Sequence, residues 1–71
     1  MQKKFKIEVD CANCAAKIET AVKALPGVQR ASVSFMTQKM LLEAEDDRFE
    51  ELLQQAVRAA KNIEPDFEIE L

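Results

Sequence analysis

Apolar and charged residues alternate in the first segment of the chain, and the period then changes. Phe5, Ile7 and Val9 are separated by charged residues, the pattern of a strand with one buried face. From Cys14 onward the apolar residues recur at helical spacing, which predicts an amphipathic helix. The apolar face of this helix comprises Ala15, Ile18, Val22 and Leu25.

A Pro-Gly pair predicts the end of the first helix. Pro26 cannot continue the helical hydrogen-bond ladder because proline has no backbone N–H. Gly27 is the only glycine in the chain, and glycine readily adopts the positive φ that helix ends use. The helix is therefore expected to stop at this pair.

Two further alternating segments follow, and the short connection at residues 36–39 joins them into a predicted hairpin. The inward positions of the first segment are Ala31, Val33 and Phe35. Those of the second segment are Met40, Leu42 and Ala44. Met36, at the tip, is expected to pack within the hairpin rather than to bind a ligand.

A second helix and a last strand complete the pattern. Asp46 and Asp47 offer helix caps, and Asp47 with Glu50 has the spacing of a capping box. The apolar stripe of the helix comprises Phe49, Leu52, Leu53, Ala56, Val57 and Ala60. After a break at residues 62–65, alternation through Phe67, Ile69 and Leu71 predicts the last strand.

The predicted order is βαββαβ, which indicates an α+β fold of the ferredoxin-like type: a four-stranded antiparallel sheet with two helices on one face. We expect residues 1–71 to form a single domain. This topology brings three connections to one end of the molecule, at residues 10–13, 36–38 and 62–66. Glu64 and Asp66 are thereby placed near the cysteines, where either could complete a divalent metal site, although a solvated acidic loop is the simpler interpretation of both.

Composition narrows the chemistry. The net charge of -3 disfavours nucleic acid as a partner, and the absence of histidine excludes imidazole catalysis and histidine-ligated metal sites. We expect a non-catalytic domain. The chain shows neither a signal peptide nor a long apolar run, so we expect a cytoplasmic location and no direct membrane insertion.

The chemistry lies in the two cysteines, Cys11 and Cys14. Their spacing lets both sulfurs face one ion, and backbone N–H groups at the start of a helix stabilise thiolates. A closed structural zinc site needs four protein ligands, and this chain has no second cysteine pair and no histidine to supply them. The site therefore leaves coordination positions vacant, which suits transfer of an ion rather than storage.

Asp10, immediately before the first cysteine, has two interpretations. It is either a capping or solvated loop residue, or a third ligand whose oxygen favours a divalent ion over monovalent copper. Two thiolates alone suit Cu⁺, whereas an added carboxylate suits Zn²⁺.

Three stretches of the chain carry a resemblance to a known family: residues 10–19 (DCANCAAKIE), 25–28 (LPGV) and 31–35 (ASVSF). Together they resemble the heavy-metal-associated domain, and within it the amino-terminal domains of zinc-, cadmium- and lead-translocating P-type ATPases. The likeness covers nearly the whole chain. It implies that Cys11 and Cys14 are metal ligands and that Asp10 is the third.

The resemblance also implies a cargo and partners. The cargo would be Zn²⁺, with Cd²⁺ and Pb²⁺ as mimics, and the partners would be the other domains of a metal-transporting ATPase or a metal donor protein. Glu8 and Val9 stand where the family usually has Gly-Met, so no role is carried over from that methionine. Residues 63–66 (IEPD) differ from the glycine and aromatic pair of copper-handling relatives, and this ranks Cu⁺ below zinc.

Three alternatives to a zinc-binding module stay open. The first is a copper(I) metallochaperone-like domain. The second is a thiol–disulfide redox protein, although Asp10 stands where thioredoxin-like enzymes have an aromatic residue. The third is RNA binding, which requires exposed aromatic residues on the open sheet face; Phe5, Phe35 and Phe67 instead fall on the face predicted to meet the helices.

Overall fold

The computed structural model describes residues 1–70, and its elements follow the predicted βαββαβ order. The strands are β1 (Gln2–Glu8), β2 (Val28–Ser34), β3 (Lys39–Ala44) and β4 (Glu68–Glu70). The helices are α1 (Ala12–Lys23) and α2 (Phe49–Ile63), and a short 3-10 helix, Asp46–Arg48, precedes α2. Leu71, predicted as the last inward residue of the final strand, lies outside the described residues.

The four strands form one antiparallel sheet in the order β2-β3-β1-β4. In β1, Phe5 lies opposite Met40 of β3, and Ile7 lies opposite Ile69 of β4. The ferredoxin-like arrangement expected from the sequence is therefore confirmed. Within residues 1–70, no helix has both the length and the apolar character needed to cross a bilayer.

The core lies between the sheet and the helices. Its fully buried large side chains include Ile7 and Met40 from the sheet, Ile18 and Val22 from α1, and Leu52 from α2. Among the described residues, none of the buried side chains is polar or charged. The polar and charged side chains of the described residues therefore lie at the margin of this core or on the surface.

The bounds of α1 differ from the prediction. The helix begins at Ala12, ahead of Cys14, and ends at Lys23 with Ala24 as its C-cap. Leu25 therefore lies beyond the helix. Gly27 does adopt a positive φ, 99°, but it does so in the turn that leads into β2 rather than at the helix end.

The predicted side-chain capping of α2 is wrong. Its N-cap is Arg48, which makes no side-chain capping hydrogen bond, and the Phe49 N–H donates to the backbone carbonyl of Asp46. A backbone carbonyl of the 3-10 turn thus accepts an N–H at the start of α2, where an aspartate side chain was expected to accept it. The Asp46 carboxylate instead contacts the N-terminal ammonium of Met1 at 2.8 Å.

The hairpin tip is more exposed than predicted. β2 ends at Ser34, so Phe35 lies in the turn, where it is 38% exposed rather than facing the helices. Met36 is 90% exposed and does not pack within the hairpin. The alternation of the strand does not continue to Phe35, because Ser34 is the last residue of β2 and the turn begins at Phe35.

Candidate metal centre

The two cysteines lie at the start of α1. Cys11 is the N-cap residue, with extended backbone angles of φ -141° and ψ 133°, and its carbonyl accepts the Ala15 N–H at 3.0 Å. Cys14 lies in the first turn of the helix and packs partly against the core. Both are half-buried free thiols. The helix start thus brings both sulfurs to the end of the molecule that the topology predicted.

The Cys11 thiol lies in a setting that favours its thiolate. It makes no capping hydrogen bond, but the backbone N–H groups of Cys14 and then Asn13 lower its pKa. The partial positive charge of these N–H groups stabilises an anion at a helix N-terminus. This is the effect predicted from a position at the start of a helix, and here it applies to Cys11.

The Cys14 thiol is held in the opposite way. Its Sγ donates a hydrogen bond to Glu64 Oε2 at 3.3 Å, and this bond, followed by burial, raises the pKa of Cys14 to about 11. A carboxylate beside a thiol favours the protonated form because it accepts the S–H and repels a second negative charge. The two cysteines are therefore chemically unequal in the metal-free protein.

Glu64 is the predicted neighbour that the structure brings to the cysteines. It is half-buried and contacts Cys14 across fifty residues of sequence, so the simpler interpretation, a solvated loop residue, is wrong for Glu64. Its second oxygen, Oε1, lies 3.3 Å from the Asp66 backbone nitrogen, whose N–H it accepts. The carboxylate is thus held on both oxygens. The side chain of Asp66 is exposed, as expected.

Asp10 lies in the loop between β1 and α1 and is exposed. The described part of the chain contains no preassembled group of three acidic, cysteine or histidine side chains that could hold an ion. Cys11 and Cys14, with Glu64 beside Cys14, are what the fold already brings together. The role of Asp10 as a ligand stays a prediction.

The hairpin turn contributes a residue that sequence reasoning missed. Gln38 Oε1 accepts the Val9 N–H at 2.8 Å, and the Gln38 backbone carbonyl accepts the Ile7 N–H at 2.9 Å. These bonds join the turn to the residues that lead into the cysteine loop. The topology placed the two loops at the same end, but no pattern in the sequence indicated this side-chain bond.

Comparisons with known proteins agree with this geometry. The profile of the heavy-metal-associated domain matches residues 4–62. The zinc/cadmium/lead-transporting P-type ATPase of Escherichia coli (strain K12) is 46% identical over 39 residues, 55% of this chain. The cadmium, zinc and cobalt-transporting ATPase of Helicobacter felis is 35% identical over 69 residues, 97% of this chain. The chain spans only 5% and 9% of the lengths of these two relatives.

A solved structure extends the likeness to three dimensions. The N-terminal domain of ZntA in its apo form has a TM-score of 0.67 to this chain at 30% identity, and the match covers 97% of this chain and 88% of that one. The similarity therefore includes the order and arrangement of the helices and strands.

Proposed function

Because the chain belongs to the heavy-metal-associated domain family, we propose that it binds a single divalent soft or borderline ion and passes it on by ligand exchange. The cargo proposed is Zn²⁺, with Cd²⁺ and Pb²⁺ as mimics and Cu⁺ disfavoured. Cys11 and Cys14 supply the thiolates, and Asp10 supplies a third ligand.

The observation that carries this proposal is the carboxylate of Glu64 at 3.3 Å from the Cys14 sulfur. A divalent borderline ion accepts oxygen donors beside thiolates, whereas Cu⁺ is satisfied by thiolates alone. Glu64 and Asp10 are both acidic, and they belong to different loops: Glu64 to the loop after α2 and Asp10 to the loop before α1. A carboxylate donor beside the thiolates favours zinc over copper.

Exchange follows from the incompleteness of the site. Cys11, Cys14 and Asp10 leave a tetrahedral ion with one further position, and if Glu64 or water fills it in the resting site, a thiolate or carboxylate of another protein can replace that ligand. A cysteine of this chain then departs, so the ion changes partner without being released into water. Cys11 is the N-cap of α1 and Cys14 lies in its first turn, at an end of the molecule that a partner can reach.

The relatives support a place for this step. Both are transporting ATPases, and the matched structure is an N-terminal domain. We propose that residues 1–71 form one non-catalytic cytoplasmic module that acts within such an ATPase or delivers metal to it. The shared core, which includes residues from Ile7 to Phe67, supports treating the chain as a single unit.

The test is to measure Zn²⁺ and Cu⁺ affinities of the reduced protein by competition with chelators of known affinity. We expect wild type to bind one ion per chain. We also expect its ratio of zinc to copper affinity to be higher than that of the Cys11→Ser variant. Asp10→Asn and Glu64→Gln should each lower the ratio of zinc to copper affinity by about tenfold or more, the scale on which groups around a metal act. The ratio is the useful quantity because Glu64→Gln also frees the Cys14 thiol, which strengthens the binding of both ions.

Asp66→Asn is the matched control. It removes one negative charge from the same loop, but its exposed side chain does not contact a cysteine. The control should keep the wild-type ratio. An unchanged ratio in Asp10→Asn would remove Asp10 from the ligand set, and zinc binding that survives Cys11→Ser and Cys14→Ser together would contradict the proposed function.

A further inference from the structure

The side chain of Gln38 extends the sheet beyond the end of its strand. In an antiparallel sheet, alternate residues of a strand direct their N–H and C=O groups to the same neighbour. Ile7 directs its N–H toward the β3 side, where the Gln38 carbonyl accepts it at 2.9 Å. Val9, two residues on, directs its N–H to the same side, but β3 begins at Lys39 and the chain has already turned away. The Gln38 side-chain oxygen accepts that N–H at 2.8 Å.

The amide of Gln38 is fixed at both ends. Its Nε2 donates to the Phe35 carbonyl at 2.7 Å, across the same turn, while its Oε1 holds Val9. Fixing the Gln38 side chain costs conformational entropy, and this cost is the same whether the amide makes one hydrogen bond or two. The second bond therefore stabilises the arrangement at little further entropic cost. The geometry therefore ties the hairpin turn rigidly to the segment that ends at Cys11.

The backbone of Gln38 gives independent evidence that its side chain matters. Gln38 is the only non-glycine residue with positive φ within residues 1–70, at 54°. Glycine and asparagine adopt this conformation more readily than glutamine. Glutamine has one more methylene than asparagine, and that length lets the amide reach Val9.

We infer that Gln38 is a positioning residue for the metal loop: through Val9 it holds residues 9–11 in the conformation in which Cys11 binds the ion. Val9 is buried, and its N–H would be unpaired without Gln38, so the loop would have to move or leave a buried donor unsatisfied. Cys11 follows two residues later. This inference rests on the proposed function, because it assigns Gln38 a role in the same metal site.

The competing explanation is that Gln38 merely stabilises the turn. Ser34 allows the two explanations to be separated, because its Oγ accepts the Thr37 N–H at 3.2 Å within the same turn and makes no bond to the metal loop. Ser34→Ala therefore weakens the turn alone. Gln38→Asn keeps a residue suited to positive φ but shortens the side chain, so it removes the bond to Val9.

The experiment compares wild type, Gln38→Asn and Ser34→Ala in two measurements. Hydrogen exchange of the Val9 amide in the metal-free protein should be at least about tenfold faster in Gln38→Asn and unchanged in Ser34→Ala. Zinc affinity should fall about tenfold in Gln38→Asn, as for other groups that orient a ligand. Ser34→Ala should keep the wild-type zinc affinity, even if its thermal midpoint falls as far as that of Gln38→Asn. Gln38→Met, of similar length but without the amide, should reproduce the Asn result.

Two results would overturn the inference. One is slow Val9 exchange in both Gln38 variants. The other is a loss of zinc affinity that follows the thermal midpoint equally in the Ser34 and Gln38 variants. Failure of the proposed function looks different, because wild type itself would then bind no zinc. Even in that case, the exchange rates would show whether Gln38 holds the loop.

Discussion

At the scale of single residues, Gly27 is constrained by both its backbone conformation and its neighbours. Its φ of 99° lies in the region that residues with a Cβ rarely adopt. A Cβ built there would meet the Arg48 guanidinium at 3.0 Å and a Leu52 methyl at 3.1 Å. The chain's one glycine is therefore required both by backbone conformation and by the close approach of α2.

Gly27→Ala should lower the free energy of unfolding by about 1–3 kcal/mol, the cost of holding such a residue at positive φ. Urea unfolding monitored by circular dichroism measures this. Most of the loss should persist when Arg48→Ala is added, because removing the guanidinium relieves a contact and leaves φ unchanged. Full recovery in the double variant would show that the steric contact, and not the conformation, sets the cost.

At the scale of secondary-structure elements, the carboxylate of Glu19 joins α1 to the edge strand β2. Glu19 Oε1 accepts the Val33 N–H of β2 at 2.8 Å, and Glu19 Oε2 lies 3.4 Å from Lys23 Nζ. The bond to Val33, assisted by Lys23, lowers the pKa of Glu19 below its ordinary value of 4.5. The same bond occupies a donor that a free sheet edge would otherwise present to another chain.

Glu19→Gln should make stability less dependent on pH. A carboxylate whose pKa is lowered by folding stabilises the native state above its unfolded pKa, and this contribution is lost as pH falls through the folded pKa. Near pH 7 wild type should therefore exceed Glu19→Gln by about 0.5–1 kcal/mol, since glutamine keeps an acceptor oxygen but loses the charge. Urea unfolding at several pH values should show this difference shrinking below about pH 4.5.

Glu51→Gln is the control for the Glu19 measurement. Glu51 is an exposed carboxylate near Arg48 on α2 and accepts no backbone N–H bond across elements. Surface pairs of this kind contribute little, so its removal should leave the pH profile close to wild type. A Glu19→Gln difference that is constant from neutral to acid pH would contradict the assigned bond.

The elements themselves could be predicted because their signals are local. The inward residues Met40, Leu42 and Ala44 follow from strand alternation, and Ala15, Ile18 and Val22 from helical spacing; all are buried. The residues at which the elements begin and end were less predictable than their inward faces. The 3-10 turn before α2 and the start of α1 at Ala12 depend on backbone hydrogen bonds that carry no hydrophobic period.

At the scale of the whole molecule, two long-range bonds made by side chains lie at the end that holds the cysteines. Cys14 meets Glu64 there, and Val9 meets Gln38. The topology predicted that these loops share one end, because antiparallel strand order fixes the direction of each connection. The topology also placed Glu64 near the cysteines, but the bonds themselves could not be predicted, since each depends on side-chain reach between residues 29 or 50 positions apart. The fold was therefore more predictable than the details of its site.

Metal binding should stabilise this small domain as a whole. A chain of 71 residues buries a limited core, so its metal-free stability is expected to be modest. The proposed ligands come from the start of α1 and the loop before it, and Glu64 lies beside them in the loop after α2, so an ion held there opposes unfolding of the whole unit. A free zinc concentration of about 100 times the dissociation constant should raise the free energy of unfolding by up to about 2.7 kcal/mol.

Urea unfolding of the reduced protein with zinc and with excess chelator measures this gain. Chelator should abolish it, and the paired substitution of Cys11 and Cys14 by serine should show the same stability in both conditions. Zinc that binds the cysteines of the unfolded chain makes the gain smaller. The difference in unfolding free energy between zinc and chelator should therefore not exceed about 2.7 kcal/mol at that zinc concentration. An equal gain in the double variant would place the ion elsewhere on the molecule, because no thiolate would remain to hold it at the start of α1.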